Sequence, residues 1–157
     1  MLVPSTTLTP FVARRKCGEV LTTLQHSVHT FYLAGSFYFK AASPSSDVDF
    51  YVEYSQEAHD FLRSNGFAIM GANADYPNEI APPSEYSGNT VAIYQHATLP
   101  VQVQAFVNLP LALQTRDILA KVFPSEHAAT RGPNRHSMWQ QAETCARAIA
   151  KLTSTAA

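Results

Sequence analysis

An apolar run that stops at Gly35-Ser36, ten intervening residues, and an Asp47-Val48-Asp49 triplet opening a second apolar run constrain this chain more than any other stretch. Over residues 31–53 it reads FYLAGSFYFKAASPSSDVDFYVE. Residues 31–34 are aromatic and apolar up to a glycine, which predicts a strand followed by a turn at Gly35-Ser36. Residues 37–42 predict the first turns of a helix on the sheet, and the Ser43-Pro44-Ser45-Ser46 cluster breaks it. Residues 48–54 alternate and predict a second strand. Asp47 and Asp49, two apart on that strand, are expected to share one face.

Such a pair has a chemistry. Mg²⁺ takes one or two carboxylates and completes its shell with phosphate oxygens and water. Gly35 lets a backbone approach a phosphate closely, and Ser36 adds a hydroxyl and an N–H at an expected helix start, a favourable end for an anion. Phosphoryl and nucleotidyl transfer ask for little more than held metal ions, gripped phosphates and an aligned nucleophile. An isolated Asp-x-Asp is commonly a solvated edge or a turn former. The glycine-serine turn upstream is what sets this pair apart.

The rest of the chain supplies a frame. Residues 11–30 predict a helix with Val12, Cys17, Val20, Leu21, Leu24 and Val28 on its apolar stripe. Within it, Arg14-Arg15-Lys16 reads as a solvated face, and His26 and His29 lack a third metal ligand at a suitable spacing. Ser55 caps an expected helix over 56–65 that buries Ala58, Phe61 and Leu62 and stops at Gly66, and residues 67–70 form a brief strand. Residues 71–89 are the longest irregular stretch, a place for substrate contacts or a lid. Strands follow over 90–95 and 101–107. Asn108 then caps a helix to residue 123, with Leu111, Ile118, Leu119 and Val122 facing inward. A last helix runs from a cap at Asn134 to residue 152 with Met138, Ala142, Cys145, Ile149 and Leu152 on one stripe, and residues 153–157 fray. Trp139 and His136 are assigned to packing and to the helix start. This order predicts an α/β (α+β) fold, a small mixed sheet flanked by helices. One domain would span 1–157, with a core over about 11–107 and C-terminal helices over about 109–152.

Composition narrows the partners. Eleven basic and twelve acidic residues leave a net charge near zero, so nothing in the overall balance draws the chain to nucleic acid or an anionic membrane. No apolar run nears the roughly 20 residues that cross a bilayer. Cys17 and Cys145, far apart on expected helices, read as buried free thiols, and the chain is expected to be soluble and cytoplasmic. There is no nucleophile elbow, Walker loop or dinucleotide fingerprint. A glycosyltransferase would also use Asp-x-Asp, but its upstream nucleotide-binding unit is missing.

The joint pattern resembles the DNA polymerase β-like nucleotidyltransferase superfamily, in particular its minimal single-domain members. Leu33, Ala34, Gly35 and Ser36, then Ser46, Asp47, Val48, Asp49 and Phe50, carry the resemblance. It implies that Asp47 and Asp49 coordinate Mg²⁺ or Mn²⁺, and that Gly35 and Ser36, with Ser46 and Lys40, hold the phosphates of an NTP. A nucleoside monophosphate would pass to a protein, RNA or small-molecule acceptor, and pyrophosphate would leave. Two departures stand out. Family members commonly place basic or small residues after Gly-Ser, whereas Phe37, Tyr38 and Phe39 precede Lys40 here, and Lys40 reads equally as a solvated lysine. Active members also draw a third carboxylate from a later strand, where this chain offers Gln102, an amide without charge and a poor base. Asp75, Glu79 or Glu85 are the acidic residues of the long loop available to replace it. The alternative expectation is a catalytically weakened relative that binds a nucleotide or a partner without turnover.

Overall fold

The computed structural model describes residues 2–3, 17–39, 46–72, 89–122 and 135–155. It is a mixed α/β structure whose open sheet is flanked by helices. The strands are β1 (Leu2–Val3), β2 (Phe31–Ala34), β3 (Val48–Glu53), β4 (Phe67–Ala72), β5 (Thr90–His96) and β6 (Val101–Phe106). Around them lie α1 (Gly18–His26), α2 (Gly35–Tyr38), α3 (Gln56–Ser64), α4 (Leu109–Val122) and α5 (Arg135–Thr155). The sheet order is β1-β2-β3-β6-β5-β4. β3 lies antiparallel to β2 and parallel to β6, so the two halves of the chain meet along β3 and β6 at the centre of the sheet.

Alternation in the strands decides which side is core. Val48, Phe50 and Val52 of β3 and Val101, Val103 and Ala105 of β6 point to one face and are buried there with Phe31, Leu33 and Tyr94. α1 covers this face through Cys17, Val20 and Leu24, and α3 through Leu62. The other face carries Ala34, Tyr51 and Phe106, packed against Leu109 and Ala112 of α4 and Trp139 of α5. Beside that patch it carries Asp49, Gln102 and Gln104 at the alternate positions.

Local signals place most helix ends. Ser55 Oγ accepts from the Ala58 N–H at 3.0 Å, and Gly66 follows α3 with φ +88°. Asn108 Oδ1 accepts from the Leu111 N–H at 3.1 Å and starts α4. A second asparagine, unread in the sequence, ties that start down: Asn89 Oδ1 accepts from the Asn108 N–H at 2.7 Å, and its Nδ2 donates to the Asn108 carbonyl at 2.8 Å.

Several boundaries differ from expectation. α1 begins at Gly18, with 11–16 outside the described residues, and ends at His26. Val28 therefore leaves the apolar stripe and is 94% exposed. His29 also falls beyond the helix, with its ring centroid 5.7 Å from that of Phe61, so it does not share a helix face with His26. α5 turns Ala142 and Ala146 inward, with Met138 and Trp139 half-buried. Cys145, Ile149 and Leu152 of the expected stripe are exposed, because the aromatic contacts of Trp139 set the helix rotation and the last turns extend past the core. The helix continues to Thr155, through residues expected to fray. The free thiols divide accordingly: Cys17 is buried and Cys145 exposed. β1, pairing parallel with β2, was not legible in the sequence. Among the described residues no helix is long and apolar enough to cross a membrane.

Candidate functional site

The glycine and the aspartate singled out by the sequence touch. β2 and β3 pair so that Ala34 lies opposite Asp49, and the chain leaves β2 through Gly35 at φ +66°, a conformation L side chains disfavour. A Cβ built on Gly35 would lie 2.8 Å from Asp49 Cγ and 2.9 Å from its Cβ, too close for any real methyl group. Gly35 is therefore required twice, for its backbone and for the room it leaves the carboxylate.

The expected turn at Gly35-Ser36 is instead the first turn of α2, which spans only Gly35–Tyr38, with the Phe39 N–H donating to the Gly35 carbonyl at 3.0 Å. So short a helix lacks the aligned peptide dipoles that make a longer helix end attract anions. What remains for a phosphate is the Ser36 hydroxyl and backbone, at a partly exposed position. Residues 40–45 lie outside the described residues, Lys40 with them.

Asp47 stands one step before β3 rather than on it. The strand begins where the Val48 N–H donates to the Pro100 carbonyl at 2.8 Å, at the turn between β5 and β6. Asp47 is exposed, while Asp49 is partly buried against Gly35. Burial, and then the charge of Asp47, push the Asp49 carboxyl up to about 8. Without a cation the Asp49 carboxyl is therefore largely protonated at neutral pH, and a divalent ion would favour its ionised form. Ser46, just before Asp47, is buried.

Gln102 is brought to Asp49 by register, since the two are direct partners in the parallel β3–β6 pair. Its amide is part of a row. Gln95 Nε2 donates to the Leu99 and Val101 carbonyls at 3.3 and 3.1 Å, so Gln95 Oε1 faces Gln102. Gln102 Nε2 donates to that oxygen at 3.5 Å, and Gln104 Nε2 to Gln102 Oε1 at 3.5 Å. Contacts this long are worth a fraction of an ordinary hydrogen bond, so the Gln102 carbonyl is free to turn toward a ligand. A third negative charge is what it cannot supply. Asp75, Glu79 and Glu85, the acidic residues that the sequence offered in its place, lie outside the described residues. Among those described, no group of three or more His, Cys, Asp or Glu gathers as a metal centre.

Asp47 and Asp49 are thus the carboxylates that could hold a hard divalent ion, with the neutral Gln102 amide beside Asp49. The sequence reading missed Arg116 of α4. It reaches the Leu33 carbonyl and the Tyr38 ring on either side of Gly35-Ser36, 83 positions away from Leu33 in the chain. No family model matches the chain, and comparison with curated proteins and with solved structures likewise finds no match.

Proposed function

We propose that this chain is a nucleotidyltransferase-like domain that binds a nucleoside triphosphate together with Mg²⁺ or Mn²⁺. The observation that carries the reading is the closure of Gly35 onto Asp49, with Asp47 near enough to raise that carboxyl further. Asp47 and Asp49 would hold the ion, and Ser36 would donate to the phosphates over the open backbone of Gly35. Bound there, the ion would neutralise phosphate charge and align the chain for in-line attack. The mixed sheet and the order of elements support placing the domain with the minimal members of the superfamily, where a nucleoside monophosphate passes to an acceptor and pyrophosphate leaves.

A second reading, binding without turnover, is favoured by Gln102. Two-metal transfer needs charge on that side of the site and a base for the attacking hydroxyl, and an uncharged amide provides neither. Binding is common to both readings. Titration calorimetry with each of the four NTPs plus Mg²⁺ tests it: at least one should bind, and Asp47→Asn should abolish the binding. Unchanged affinity in Asp47→Asn removes the site. Transfer of label from an α-phosphate-labelled NTP to a protein, RNA or small-molecule acceptor separates the two readings, since only the transferase produces it.

A further inference from the structure

Arg116 of α4 reaches both flanks of the Gly35-Ser36 turn. Arg116 Nη1 donates to the Leu33 carbonyl at 2.6 Å, and its guanidinium carbon lies 3.9 Å from the Tyr38 ring centroid. Nε and Nη2 both meet Asp117 Oδ1 at 3.0 Å, and the Tyr38 hydroxyl donates to the same oxygen at 2.6 Å. The Arg116 side chain is only 13% exposed. A guanidinium this buried is costly unless its donors are satisfied and its face covered, and here a carbonyl, a carboxylate and a ring do both. Tyr38, an oddity of the sequence, becomes the surface on which the guanidinium lies.

The two contacts bracket the turn. Leu33 is two residues before Gly35, and among the described residues the β1 pairing reaches Tyr32. Tyr38 closes α2 on the other side. The bridge therefore fixes the entry to the Gly35-Ser36 backbone and its exit.

We propose that Arg116 is the positioning residue of the phosphate-holding turn, bridging Leu33 to Tyr38 so that Gly35 and Ser36 keep the path a triphosphate requires. The proposal rests on reading that turn as the triphosphate seat. A lysine keeps the charge but has neither the fork nor the flat face, so Arg116→Lys should fail where a general positive potential would suffice.

The test uses the full chain and inorganic tripolyphosphate with Mg²⁺. Arg116→Lys and Arg116→Ala should each weaken binding about tenfold, the scale of losing a group that orients a ligand without touching it. The Gly35 and Ser36 amide resonances should move, and their hydrogens should exchange faster. A merely structural role would lower the melting temperature and leave the affinity of the folded protein unchanged. Should Arg116→Ala fail to fold, Arg116→Lys and Tyr38→Leu carry the test, the latter removing the ring beneath the guanidinium. Wild-type affinity with unmoved Gly35 and Ser36 amides in Arg116→Lys overturns the proposal. If the wild type binds neither tripolyphosphate nor any NTP, the nucleotide reading fails by itself. The two amides then decide whether Arg116 positions the turn: moved resonances support it, and unmoved ones overturn it.

Discussion

The two faces of the sheet are built from the same strands and obey opposite rules. On the face under α1 and α3, Phe31, Leu33, Phe50 and Val103 are essentially without exposure, and position matters only through packing. On the other face, one residue over along each strand, sit Asp49 and Gln102, a carboxyl whose ionisation is disfavoured there and a polar amide. Stability alone does not account for this contrast. A strand that sought only stability would place apolar residues beneath α4 on both central strands, as Tyr51 and Phe106 do. Asp49 breaks that pattern, and Gly35, with no side chain and a left-handed backbone, leaves room for it.

Substitutions should separate the faces. Phe50→Ala is expected to cost the most stability, about 3–5 kcal/mol from transfer and cavity terms, read by urea denaturation. In the fraction that remains folded, nucleotide affinity should hold. Asp49→Asn should do the reverse, lowering Mg²⁺·NTP affinity about a hundredfold or more in calorimetry while leaving the fold intact. Gly35→Ala lies between, because it damages both functions of the turn: the left-handed backbone and the displaced carboxylate together should cost about 2–4 kcal/mol. If Gly35→Ala proves as stable as wild type, Gly35 and Asp49 are not in contact.

The pH dependence sharpens the contrast. The folded Asp49 carboxyl is raised above the ordinary value of 3.8, so its contribution is fully present below pH 4 and is lost as pH rises through about 8. The metal-free protein should therefore lose about 1–3 kcal/mol between pH 4 and 8, allowing for a side chain that is only partly buried, and Asp49→Asn should flatten that slope. Metal binding at pH 7 should release roughly one proton, visible as a buffer-dependent calorimetric heat. The smallest effect is expected at Gln102. Gln102→Asp should tighten Mg²⁺ binding about tenfold and lower the stability of the metal-free protein by about 1 kcal/mol, through a third like charge near Asp49. No gain in Mg²⁺ affinity would mean that position 102 does not reach the ion.

What the sequence made legible was local. The strand that ends at Gly35 and the strand that opens at Val48 follow from neighbours in the chain, while position 102 was singled out by the family resemblance and lies opposite Asp49 in the register. What it hid depends on distant partners. That β3 pairs with β6, a strand from the other half of the chain, from Val48 onward could not be read from neighbours. The Asn89–Asn108 clamp and the Arg116–Leu33 bridge join positions with no shared periodicity. Met138 and Ala142 of the expected α5 stripe face the core, but Cys145, Ile149 and Leu152 do not, because Trp139 lodged against Phe39 and Tyr51 sets the rotation.

The parallel pairing of β3 with β6 also bears on how the chain is made. A ribosome delivers β3 well before its central neighbour, since α3, β4 and β5 all emerge in between. During that interval β2 and β3 can pair, but the far edge of β3 offers unpaired peptide groups beside Val48, Phe50 and Val52, a template for pairing with another nascent chain. Asp47 and Asp49 flank the start of that edge with charge. Charge at that point disfavours edge-to-edge pairing while the sheet is unfinished.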